Sequence, residues 1–161
     1  MHRSITIGGV ADFPFSSVVE YTERFVRDEL APKDGMSIEL RVPVGARAIG
    51  ATRRFHVATS VVRDLTDLTR RHGAVWIHFS ADGQAPALPD FRALLTARPW
   101  HGKTRLKLLG DFESPGGAIG RAVDLLVGRL VVRRILHAFF DELVASLERQ
   151  NRAFHHLAGK R

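Results

Sequence analysis

The stretch from Gly116 to about His156 constrains this chain most. Ile119, Val123, Leu126 and Leu130 recur at spacings of four, three and four, and Phe140, Leu143, Val144 and Leu147 resume the series. One apolar stripe on a long helix requires a broad apolar partner, and a sheet supplies one. Pro115 and two glycines precede the pattern, so a loop delivers the chain to it. Arg149, Arg152, His155 and His156 crowd its end, where positive charge suits the helix dipole. A straight helix of roughly 40 residues is about 60 Å long. It must therefore kink, end early or overhang a compact domain, and Gly128 is its weakest point.

The remainder reads as strands, turns and one shorter helix. Ile5 and Ile7 alternate with Ser4 and Thr6 in a first strand over Arg3–Val10. Pro14–Leu30 reads as a helix in which Val18, Thr22, Phe25 and Val26 make a narrow buried stripe, with Ser17 and Glu20 at capping-box spacing. Ala31–Gly35 is a turn. Alternation then marks strands over Met36–Val42, ended by Pro43, over Arg54–Val61 and over Val75–Phe79. Residues 43–51 fit no element, and Ala81–Pro89 reads as a loop. Phe91–Ala97 and Thr104–Phe112 form a hairpin across Pro99–Gly102, which should be exposed. Short turns between alternating strands imply an antiparallel sheet with one wet face. The expected class is α+β: a curved antiparallel sheet with helices on one face, residues 1–161 forming a single domain.

Composition narrows the function classes. The chain has no cysteine, which excludes disulfides, thiol nucleophiles and Cys-ligated zinc. No apolar run reaches transmembrane length and the amino terminus lacks a signal-peptide core, so the expected location is the cytoplasm. The net charge of +7 raises anionic partners, but no Lys/Arg run exceeds two residues. His155 and His156 are adjacent and cannot chelate as an i, i+4 pair, and His56 and His78 read as histidines of the sheet's outer face. Gly116–Gly120 lacks the lysine of a phosphate loop. No nucleophile-elbow motif accompanies the serines. The expectation is no metal and no cofactor.

Several segments carry a resemblance: Trp76 in a strand, Leu88-Pro89-Asp90-Phe91, Thr104-Arg105-Leu106-Lys107-Leu108-Leu109-Gly110, Ser114-Pro115-Gly116-Gly117-Ala118-Ile119-Gly120, then Asp124 and Gly128 in a long helix. Together they resemble the START-like, or SRPBCC, superfamily, which includes polyketide cyclase/dehydrase-like proteins and the birch-pollen-allergen fold. The resemblance is best over Trp76–Leu147. It implies a helix-grip fold, with the sheet wrapped around the carboxy-terminal helix and a cavity for lipids, polyketides or similar molecules between them. The polar cavity residues of members that act on substrates have no match in this sequence.

On that reading the cavity is lined by Ile38, Leu40, Phe55, Val57, Thr59, Ile77, Phe79, Leu106 and Leu108 from the strands and by Val123, Val127 and Leu130 from the helix. Most of these are core in any reading. Heptad extension also puts Arg133 in line with Ile119, Leu126, Phe140 and Leu147, and His137 in line with Val123, Leu130 and Val144. If the helix stays in phase, Arg133 and His137 point inward, where a buried guanidinium calls for an anionic head group. The alternative is a kink near Gly128 that turns both to solvent and brings Leu136 and Phe139 inside. The expected function is binding of an apolar or amphipathic small molecule, by a monomer or homodimer with no DNA partner. A cyclase or dehydratase using the same cavity is the rival, with Arg133 and His137 its only acid or base candidates. A third reading is a binding module for an acidic protein, RNA or a membrane through a basic outer sheet (Arg41, His56, Arg105, Lys107).

Overall fold

A computed structural model describes residues 2–33, 35–44, 47–61, 73–81, 91–113 and 121–158, and side chains over 4–33, 35–39, 54–60, 73–80, 91–112 and 129–158. The loop expected over Ala81–Pro89 and the glycine-rich helix entry at Gly116–Gly120 lie largely or wholly outside the described residues. Among the described residues the elements run β1 (His2–Ala11), α1 (Val18–Phe25), β2 (Met36–Val44), β3 (Arg47–Val61), β4 (Ala74–Ala81), β5 (Phe91–Trp100), β6 (Lys103–Glu113) and α2 (Arg121–Ala158).

The six strands form one sheet in the order β1-β6-β5-β4-β3-β2, antiparallel throughout. Four of the five pairings join chain neighbours. The fifth joins β1 to β6, the two ends of the strand series, in register from His2↔Glu113 to Ala11↔Thr104. Alternation sorts the side chains as expected. Ile5, Ile7, Phe55, Ile77, Phe79, Ala93, Leu95, Leu106 and Leu108 are buried on the inner face. Ser4, Thr6, His56, His78, Arg92, Arg105 and Lys107 are exposed on the outer one.

Helix α2 closes the inner face. It is 38 residues long and unbroken through Gly128. It approaches β1 and β6 at one edge of the sheet and β2 at the other, so the sheet curls around it. Leu136 sits where a side chain at Gly110 of β6 would be, and the Phe140 ring lies 3.0 Å from the position of a Cβ at Gly9 of β1. Phe139 packs edge-on against Phe79 and Phe25, with ring centroids 5.4 and 6.0 Å apart, and Phe79 stacks on Phe91 at 4.7 Å. Truncating a buried phenylalanine of this kind costs about 3–5 kcal/mol.

Three local expectations are corrected. Pro43 does not end β2, which continues to Val44 and pairs through Pro43↔Ala48 with β3. β2 is an edge strand, where a missing N–H removes no required ladder bond. Residues 47–51, which fit no element by pattern, belong to β3. The hairpin turn is shorter than Pro99–Gly102: Trp100 pairs with Lys103, and His101 and Gly102 turn with φ of 46° and 76°. Positive φ at both central residues is the I′ geometry that matches strand twist.

The first helix also changes pitch along its length. Phe15–Ser17 is a 3₁₀ turn, Val18–Phe25 is α, Val26–Leu30 is π and Ala31–Lys33 is 3₁₀ again. Ser17 stands at the N-cap of α1 but its side chain makes no capping bond, so the expected capping box does not form. Gly35 ends the segment at φ 91°, its N–H bonded to the Leu30 carbonyl at 2.9 Å. Any Cβ there would overlap the Phe55 carbonyl, so the position requires glycine on both counts.

Candidate functional site

The interior between sheet and α2 is the candidate site. Of the residues expected to line it, Ile38, Phe55, Ile77, Phe79, Leu106 and Leu108 are buried on the inner face. Val57 and Thr59 face the same way but are only half-buried, although their cross-strand partners Phe79 and Ile77 are fully buried. Among the described residues the inner face is therefore sealed over β4 and β6 and at Phe55, and half-open at Val57 and Thr59 of β3. The side chains of Leu40, Val123 and Val127 lie outside the described residues.

Leu130, Arg133 and His137 do not line the interior. Leu130 is 63% exposed and both polar residues are exposed. The buried arc of α2 is Val131, Val132, Ile135, Leu136, Phe139, Phe140, Leu143, Ser146 and Leu147. Leu130, Arg133 and His137 run along the opposite side at spacings of three and four. A seven-residue step on a straight α-helix precesses by about 20°, so Arg133 falls just past the edge of the arc that Phe140 marks. No kink at Gly128 is needed. Leu136 and Phe139 lie inside, as the second alternative from sequence had them, but on a helix continuous through Gly128.

A polar cluster missed by pattern reading ties the first helix to α2. The hydroxyls of Tyr21 and Ser146 lie 2.8 Å apart, and Ser146 Oγ donates to Glu29 Oε1 at 2.6 Å. Tyr21 is left as the donor to Ser146. Arg149 Nη2 donates to Glu29 Oε2 at 3.5 Å. Ser146 is 2% exposed, so its hydroxyl is satisfied inside the protein and out of reach of a substrate. The cluster positions α2; it is not a nucleophile site. A serine in the buried arc of an otherwise apolar helix face is the signal that marks it.

Next to it lies a cleft of ≈350 Å³ between Phe13, Pro14, Ser17, Glu20, Tyr21 and Arg24 on one wall and Gln150, Asn151 and Phe154 on the other. Glu20 and Arg24 pair with each other across its rim at 3.0 Å. On the outer sheet face, arginine covers both tryptophans: Arg92 lies 4.7 Å from the Trp76 ring centroid and Arg105 lies 3.3 Å from that of Trp100. His78 Nε2 and Ser60 Oγ are 3.1 Å apart on the same face. Among the described residues no group of three His, Asp or Glu side chains converges on one point.

Comparisons with known proteins bear on this geometry. No family model matches the chain, and no curated protein matches it by sequence. Among solved structures, the chain is similar to Ara h 8.0201 at 12% identity and a TM-score of 0.55, over 91% of this chain and 98% of that one. It also aligns with Mll3558 from Rhizobium loti at 12% identity and a TM-score of 0.40, over 89% of this chain and 97% of that one. The curled six-stranded antiparallel sheet and long carboxy-terminal helix, with the likeness to Ara h 8.0201, show that the chain has a helix-grip fold.

Proposed function

We propose that the protein binds an apolar or amphipathic small molecule, such as a lipid or polyketide, between the inner face of the sheet and α2. The observation that carries this reading is that Val57 and Thr59 are half-exposed on a face whose other described apolar side chains are buried. A core with no ligand to accommodate would cover them as completely as Ile77 and Phe79. The fold supports the reading, because a sheet curled around a helix commonly encloses hydrophobic molecules. The ligand would enter beside β3, and Thr59 would supply one hydroxyl for a polar end. A carrier, sensor or sequestering protein of the cytoplasm, working as a monomer or homodimer, fits this best.

An enzyme in the same interior requires a buried acid or base. Arg133 and His137 are both turned outward, so neither serves. Native mass spectrometry of freshly purified protein is the direct test. A co-purified small molecule should appear, and Thr59→Trp should exclude it while leaving the fold intact by circular dichroism. A wild-type protein with neither an adduct nor saturable uptake of a fluorescent fatty acid would sink the proposal.

A further inference from the structure

Phe13 links the hairpin to the carboxy-terminal end of α2 at one corner of the molecule. Ala11 pairs with Thr104, the Thr104 hydroxyl donates to the Phe13 carbonyl at 2.6 Å, and Phe13 and Pro14 face Phe154 across the cleft. Beyond Leu147 the helix outruns the sheet, and residues 152–158 are all exposed. Phe154 is 69% and Leu157 74% exposed, three residues apart and so on one side of the helix. Trp100 is 40% exposed at the hairpin.

The two segments that carry these apolar side chains are rich in cations. Ala97–Leu108 holds Arg98, Lys103, Arg105 and Lys107 with no acidic residue, and residues 149–161 hold none either. Arg98 stands directly across from Arg105, a like-charge pair that disfavours the sheet unless an anion lies over it. Among the described residues Arg98, Lys103, Lys107 and Arg152 form no ion pair. The exposed acids of the corner are Asp12 and Glu20, and Arg24 already holds Glu20.

We infer that this corner docks on an anionic lipid bilayer, with Trp100, Phe154 and Leu157 entering the interface and Arg98, Lys103, Arg105 and Arg152 meeting the head groups. Tryptophan prefers that depth, and lipid charge answers the cations. A nucleic acid fits less well. It offers no apolar volume for Leu157, and Arg105 already covers a face of Trp100. A second copy would bring like charges together. The attachment is peripheral, because among the described residues no helix is long and apolar enough to cross a membrane. The inference does not depend on the interior binding a ligand.

Flotation with vesicles tests it. Vesicles of phosphatidylcholine alone are compared with vesicles in which a third is phosphatidylglycerol. The protein should float at least tenfold better with the anionic vesicles, and lose this as salt rises from about 0.01 M to about 1 M and the screening length falls from about 30 Å to about 3 Å. Lys103→Glu with Arg152→Glu should weaken partition at least tenfold, since each basic side chain contributes roughly fivefold. Phe154→Ser with Leu157→Ser should weaken it comparably. The chain has two tryptophans, so Trp76→Phe leaves Trp100 as sole reporter, and its emission should shift to the blue on anionic vesicles. That shift and the wild-type salt dependence decide the matter even where a surface variant folds poorly. Equal partition onto both vesicle types overturns the inference. So does tighter binding of single-stranded poly(U) that survives Phe154→Ser with Leu157→Ser, or a solution dimer that those substitutions abolish.

Discussion

The middle and the end of α2 use similar residues for opposite purposes. Val131–Leu147 lies over the sheet and buries Phe139, Phe140 and Leu143, while the last turns project Phe154 and Leu157 into solvent. Both segments belong to one unbroken helix of 38 residues, roughly 57 Å long. The inner face it covers is shorter, so helix remains when the sheet runs out. A phenylalanine becomes core only where another apolar surface lies beneath it. The lesson is that a continuous stripe does not imply a continuous core.

The sharpest way to break this comparison is to truncate one phenylalanine from each segment. Phe139→Ala should cost about 3–5 kcal/mol by urea denaturation. Phe154→Ala should stay within about 0.5 kcal/mol, as at other exposed positions. Similar losses at both sites would show that the end of α2 is packed after all.

A smaller effect is expected where the helix touches backbone. Gly110→Ala places a methyl in the space of Leu136 and should cost about 1–3 kcal/mol through overpacking. Combining it with Leu136→Ala should cost less than the sum of the single changes. Strict additivity in that cycle would mean the two positions are not in contact.

Ser146→Ala probes the junction between the two segments. It removes the closer acceptor of the Tyr21 hydroxyl and the donor to Glu29, leaving only the Ser146 carbonyl at 3.3 Å for Tyr21, so a loss of about 1–3 kcal/mol is expected. Adding Tyr21→Phe should recover part of that loss, because the long bond to the residue 146 carbonyl satisfies the hydroxyl only in part. No recovery would show that the residue 146 carbonyl satisfies Tyr21 by itself.

Trp100→Ser should cost no more than about 1 kcal/mol, the worth of its contact with Arg105 at an exposed site. The smallest effect belongs to Arg133→Met, on the solvent side of the same helix. Stability and the affinity for anionic and neutral apolar ligands should both match wild type. Selective loss of an anionic ligand would return Arg133 to the interior.

Much of the fold was legible because its rules are local. Alternation at Ile5/Ile7, Ile77/Phe79 and Leu106/Leu108 placed these side chains inside and Arg105 and Lys107 outside, as observed. The site was less legible for a geometric reason. Heptad spacing put Arg133 in line with Phe140, but a straight helix drifts off that line by about 20° per step. Pro43 read as a terminator because its tolerance depends on lying at an edge.

By itself the sequence determined the secondary-structure order, the two faces of each strand and the need for a broad apolar partner under the long helix. Those follow from side-chain period and backbone chemistry, which act over a few residues. Only the tertiary structure decided that β1 pairs with β6, which arc of α2 is buried, that Tyr21, Glu29 and Ser146 meet, and that α2 overhangs the sheet. Each of these joins residues far apart in the chain. Their contacts depend on how the sheet curls and where its edges fall, and no local spacing encodes that.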